Sequence, residues 1–161
     1  MTRPQLSSPF PEELLAKLPK TDLHVHLYGS LRLQTLIALA KERKVKLPSS
    51  SPSGLLDTVF KLAYKNPPAY LKGFEFTVAC LQDSEGLERV AYEFCWDCRE
   101  DNVFYTEVRF APQLHAHDDF EIVDVLKAVS RGIRRATKEI NRAKEIRNGE
   151  FPAFYCGIIV C

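Results

Sequence analysis

The residues of this chain best suited to chemistry are two histidines two positions apart, His24 and His26, within Asp22-Leu23-His24-Val25-His26-Leu27-Tyr28-Gly29-Ser30. In a β-strand that spacing sends both imidazoles to one face and Leu23, Val25 and Leu27 to the other, so one face is chemical and the other can pack. Gly29 then breaks the strand and Ser30 can cap a following helix, which puts the pair at the carboxyl end of a strand leading into a helix. In parallel α/β folds, active sites are built at that place. Two neutral imidazoles from one strand can hold a divalent transition metal, although a catalytic zinc site takes at least three protein ligands and an open position for water. This corner offers two.

Other groups compete for attention and are read more plainly. A second His-x-His, His115 and His117, also follows a strand, but it lies beyond Pro112 and beside Asp118 and Asp119, so it is read as a solvated loop, with a contact at the rim of a ligand site as the alternative. Cys95-Trp96-Asp97-Cys98 sits inside an amphipathic helix with no second pair to complete a zinc site and is read as core. The basic run from Arg131 to Arg147 is interrupted at helical spacing and is read as a solvated helix face. Glu107 and Arg109 share a strand face and are read as a structural ion pair. Tyr70, Leu71 and Phe74 are either core or the wall of an apolar pocket.

The elements that must position these groups follow from the periodicity. A proline-started helix over about Pro11 to Lys17 belongs to an amino-terminal arm, residues 1–18, before Pro19 forces an extended approach to the first strand. Leu33, Leu36, Ile37 and Ala40 mark a helix after that strand. Leu56, Val59, Phe60 and Ala63 mark another from Gly54, and Tyr70, Leu71, Phe74 and Val78 a third after Pro67-Pro68. From Ser84 the stripe Leu87, Val90, Ala91, Phe94 and Cys98 faces away from Glu88, Arg89, Glu93 and Asp97. Val103 to Phe110 reads as a second strand, Asp118 and Asp119 as caps of a long helix carrying Ile122, Val125, Leu126, Val129, Ile133, Ala136 and Ile140, and Phe154 to Cys161 as a strand buried on both faces.

Strand, helices, strand, helix, strand is the order of a right-handed parallel α/β unit. Three strands close no barrel, and an apolar last strand with no helix after it exposes an edge and a face, so the chain is read as the amino-terminal part of a larger α/β protein, residues 19–161 forming its one domain. At 161 residues and 45% hydrophobic composition a single core is within reach. A net charge of +1 gives no reason to expect nucleic acid or an anionic membrane as partner. No apolar run is long enough to span a membrane, and prolines and acidic residues occupy the place of a signal peptide, so the expected location is cytoplasmic. Five irregularly spaced cysteines are expected to be reduced thiols.

The run from Pro19 to Ser30, together with Ala91-Tyr92-Glu93-Phe94 and Thr106-Glu107-Val108-Arg109-Phe110-Ala111-Pro112 in the same order, closely resembles the adenosine deaminase family of metal-dependent amidohydrolases. The resemblance covers essentially everything after Leu18. It implies a (β/α)8 barrel of the TIM type, of which about the first three strands are present. It implies one Zn2+ per complete site, with His24 and His26 as two of its ligands. It also implies a purine nucleoside or nucleotide as partner, with His26, Tyr28, Gly29, Tyr70, Leu71 and Phe74 near it, the last three on a helical lid of about 54–82. In that family zinc activates water for attack at purine carbon 6, a glutamate moves protons, and ammonia leaves. The remaining ligands and that glutamate belong to later strands, so no catalytic residue is expected within this chain, and the chain alone is expected to be inactive. Tyr28 stands where the family commonly has an acidic residue that contacts ribose. A phenol donates where a carboxylate accepts, which opens adenine, or an N6-methylated AMP, as substrates. A non-catalytic truncated isoform that binds another chain through its strand edge is the reading from a different class.

Overall fold

The strand β2 (Val103–Phe110) lies at the centre of a parallel sheet of order β1-β2-β3, between β1 (Lys20–His26) and β3 (Tyr155–Val160). The computed structural model describes residues 10–61 and 63–161, so the first nine residues of the expected arm lie outside the described residues. In chain order the helices are α1 (Glu12–Lys17), α2 (Leu33–Glu42), α3 (Pro52–Thr58), α4 (Pro67–Cys80), α5 (Ser84–Glu100), α6 (Ile122–Ile140) and α7 (Lys144–Arg147). Helices α2 to α5 lie between β1 and β2 in the chain, and α6 and α7 between β2 and β3, as parallel neighbours require.

Strand β2 shows why one face of the sheet is structural and the other is not. Phe104, Thr106, Val108 and Phe110 are buried, whereas Tyr105 is exposed and Glu107 and Arg109 are half-buried, the alternation of a strand covered on one side. The core contains Leu87, Val90, Ala91, Phe94, Cys95 and Cys98 of α5, all at the expected phase or adjoining it. Helix α6 adds Val125, Val129, Ile133, Ala136 and Ile140, while Ile122 at its first turn is exposed. The two helices meet backbone to backbone at Gly132: a Cβ there would lie 2.2 Å from the Glu88 carbonyl and 3.0 Å from the Tyr92 nitrogen. Any larger residue must push the helices apart. On the outer side Arg131 and Arg135 bond the two carboxylate oxygens of Glu88, at 2.9 and 2.8 Å, and Arg135 lies over the Tyr92 ring, so part of the basic run staples α6 to α5.

Several expectations need correction. Helix α3 starts two residues earlier than expected, at Pro52, because Ser51 accepts the Gly54 N–H; it ends before Val59, Phe60 and Ala63, and Leu55, not Leu56, is its buried residue. In α4 the buried side is Gly73, Thr77 and Cys80, while Tyr70 and Leu71 are exposed; the missing Cβ of Gly73 admits the Phe60 ring. Helix α6 is preceded by Glu121, which makes no side-chain cap, so Asp118 and Asp119 do not cap it; they lie in a turn closed by His117 and Phe120. Strand β3 is not buried on both faces: it is an edge of this sheet, and Tyr155 is 61% exposed. No helix among the described residues is long and apolar enough to cross a membrane.

Candidate functional site

The carboxyl end of β1 is shaped by a bulge. Asp22 pairs with Thr106 and Val25 with Val108, so β1 spends three steps where β2 spends two. The Asp22 carboxylate accepts the N–H of His24 at 3.1 Å, a local bond that gives the displaced amide a partner. Leu23, expected on the packed face, is 55% exposed because it falls inside the irregular segment. Regular pairing resumes with Val25, and His26 lies opposite Arg109. The structure does bring the two imidazoles together, with ring centroids 5.7 Å apart.

The two histidines are held differently. Arg109 Nη1 lies 3.0 Å from His24 Nε2. A guanidinium only donates, so His24 Nε2 carries the lone pair and Nδ1 the proton. Arg109 therefore makes no ion pair with Glu107, contrary to expectation; Glu107 instead accepts from the Tyr105 hydroxyl at 2.8 Å. His26 turns Nδ1 toward the Tyr28 hydroxyl at 3.3 Å, and Phe74 stacks on its ring at 6.2 Å. Burial, then the neighbouring His24 and Arg109, holds the His26 imidazole below its ordinary pKa.

After His26 the chain makes a single 3₁₀ turn, Leu27–Gly29, that buries Leu27 and Tyr28. Ser30 does not cap α2, which is preceded by Arg32; its hydroxyl donates back to the His26 carbonyl at 2.8 Å and fixes the end of the strand. Gly29 faces Phe74, whose Cε1 would lie 3.2 Å from a Cβ at that position, so the glycine admits the lid helix α4 close to β1. Tyr28 packs edge-on against Phe74 at 5.2 Å, and Phe74 against Tyr70 at 5.3 Å. Of the expected lid residues, Phe74 thus reaches the histidine corner, Tyr70 extends the ring cluster outward, and Leu71 is exposed on α4. Burial raises the Tyr28 phenol above its ordinary pKa.

The other His-x-His is not a solvated loop throughout. His115 is fully buried, its Nδ1–H donating to the Leu81 carbonyl at 2.8 Å, and its buried Nε2 has no hydrogen-bond partner among the described residues. His117 is more open and its Nε2–H donates to the Gln82 carbonyl at 3.1 Å. Both clamp the end of α4, and Gln82 returns a bond to the Leu114 carbonyl at 3.1 Å. A cavity of about 470 Å³ between α3 and α4, lined by Thr58, Val59, Tyr64, Ala69 and Phe76 among others, contains none of the histidines.

His24 and His26 fit a metal in donor type, two neutral imidazoles, and the Arg109 guanidinium already sets a cation on the His24 lone pair. Among the described residues no three His, Cys, Asp or Glu side chains converge as a metal-binding group. The contact of Arg109 with His24 and the Tyr28, Phe74 and Gly29 packing were missed in the sequence. The first carries a readable signal: in parallel strands the ends of β1 and β2 lie side by side, so an arginine near one end faces histidines near the other.

A parallel α/β layer with two histidines at the carboxyl end of a strand has the arrangement on which α/β-barrel enzymes build their active sites. Residues 19–147 match the family model described as adenosine deaminase, and the chain belongs to that family. An adenosine deaminase of Clostridium botulinum is 40% identical over 123 residues, which cover 76% of this chain and 37% of the relative; the chain thus spans little more than a third of that protein's length. Among solved structures, a zinc-bound amidohydrolase of Burkholderia ambifaria is similar with a TM-score of 0.72 at 20% identity, over 97% of this chain and 40% of the other. The Arabidopsis N6-mAMP deaminase is similar with a TM-score of 0.68 at 24% identity, over 92% and 42%. The three parallel strands are therefore an incomplete α/β barrel.

Proposed function

We propose that this chain is the amino-terminal portion of a zinc-dependent hydrolase that converts a 6-aminopurine nucleoside or nucleotide, with water, to the 6-oxo purine and ammonia. The observation that carries the reading is the His24 and His26 pair, rings 5.7 Å apart at the open end of β1, in a chain of the adenosine deaminase family. His24 and His26 are two of the metal ligands. Bound zinc supplies Lewis-acid activation of water. Tyr28 orients the His26 imidazole, Arg109 holds the His24 Nε2 lone pair until a metal takes it, Phe74 closes one side of the corner to solvent, and α4 is the lid. Zinc affinity and turnover both require ligands that these residues do not contribute, so the 161-residue chain is inactive alone. Free cysteines agree with a cytoplasmic setting.

One observation favours a substrate other than adenosine. Tyr28 offers a phenol that is already engaged on His26, so this position presents no carboxylate to accept from a ribose hydroxyl. AMP, its N6-methyl derivative or adenine meets that condition. Full-length protein loaded with zinc is expected to release ammonia or methylamine from one of adenosine, adenine, AMP and N6-methyl-AMP, and the 161-residue chain from none. Absence of amine release from all four by the zinc-loaded full-length protein defeats the reading, and turnover by the short chain defeats the statement that it is inactive alone.

A further inference from the structure

We infer that Tyr28 is a positioning residue for the metal, holding His26 in the tautomer and orientation that leave Nε2 free to ligate. The inference rests on the reading of His26 as a ligand and deepens it. An imidazole that binds metal through one nitrogen keeps its proton on the other and donates it to an outer partner, which fixes the tautomer and the ring plane. The Tyr28 hydroxyl is that partner, 3.3 Å from His26 Nδ1, and among the described residues His26 Nε2 has no hydrogen-bond partner. In this arrangement Nδ1–H donates to the phenol oxygen, and the phenol hydrogen is left for another acceptor.

Four features keep the hydroxyl where it is. Tyr28 is 8% exposed, so its ring cannot swing into solvent. Phe74 packs edge-on against it at 5.2 Å while stacking on His26, 26° from parallel. Gly29 leaves the room that Phe74 occupies. Ser30 Oγ binds the His26 carbonyl, so the backbone between the imidazole and the phenol forms a closed turn. Tyr28 thus acts on the histidine and not through a ribose contact, which accounts for a phenol where a carboxylate would carry a full charge into a buried position.

Full-length protein with ¹⁵N-labelled histidine tests this. In the zinc-free protein, long-range proton–nitrogen spectra are expected to show His26 protonated at Nδ1, and Tyr28→Phe, which keeps the ring and removes only the oxygen, to shift it toward the Nε2–H form. Chelator competition is expected to show zinc bound about tenfold more weakly by Tyr28→Phe. Tyr28→Trp, which offers only a donor, should fail to restore either readout even where it folds. An unchanged His26 tautomer in Tyr28→Phe overturns the inference, as does unchanged zinc affinity with a raised KM, which would make Tyr28 a substrate contact. If the parent protein binds no zinc, the proposed function fails, while the tautomer shift still decides whether Tyr28 positions His26.

Discussion

The two His-x-His pairs of this chain have the same spacing, one ending a parallel strand and the other following one, yet they are held in opposite ways. At the end of β1, His24 is exposed and His26 half-buried under Phe74, with Arg109 and Tyr28 as side-chain partners. After β2, His115 is fully buried and both His115 and His117 donate to backbone carbonyls at the end of α4. The difference lies in the partners. His26, whose Nδ1 meets the Tyr28 side chain, keeps Nε2 for chemistry, whereas a histidine that donates to a backbone carbonyl acts as a clamp.

Substitution separates the two pairs. In the full-length protein, His26→Ala or His24→Ala is expected to weaken zinc binding by more than about a hundredfold. Both should leave unfolding free energy within about 1 kcal/mol of the parent by urea titration. His115→Ala should do the reverse, costing about 2–4 kcal/mol by leaving a cavity and the Leu81 carbonyl unpaired, with zinc affinity kept in the protein that remains folded. A zinc defect in folded His115→Ala would collapse the contrast.

A smaller effect separates them by pH. Burial holds the His115 imidazole below its ordinary value of 6.5, so on acidification the unfolded chain takes up this proton first. Stability from this group is full above that value and falls as pH drops toward the depressed one. Urea unfolding at pH 7.5 and at about pH 5.5 is expected to show a loss in the parent that is reduced in His115→Gln. The smallest effect is expected at the exposed member: His117→Ala should cost less than about 1 kcal/mol, the range of one exposed hydrogen bond. A larger loss would show that the clamp depends on both histidines equally.

Much of this architecture was legible in the sequence, and the reason can be seen in α5 and α6. Their apolar residues recur at a clean helical period, so Leu87, Val90 and Phe94, or Val125, Val129 and Ile133, could be assigned to one face without knowing what they met. In α4 the same reasoning picked Tyr70 and Leu71, because large apolar residues dominate such a count. The core took Gly73, Thr77 and Cys80 instead, small residues that let Phe60 approach and leave the aromatics on the lid side. The terminal strand misled for a related reason: apolar composition speaks of a buried place, and β3 is an edge in this sheet. At the site, the histidine pair was visible from spacing alone. The burial of His115 was not, since its partner is a backbone carbonyl 34 residues away and leaves no trace in residue type.

The bulge between Asp22 and Val25 sets two side-chain alternations on a single strand. A second, opposite shift between Lys20 and Thr21 cancels it, so Val25 and His26 face Val108 and Arg109 at the same offset at which Lys20 faces Val103. Of the paired residues of β1, only Thr21 and Asp22 are displaced by one place, against Tyr105 and Thr106. Deleting Leu23 would remove this shift and leave the one between Lys20 and Thr21 uncompensated. The paired irregularities therefore confine the distortion to the middle of β1 and set His26 opposite Arg109 as if the strand ran regularly from Lys20.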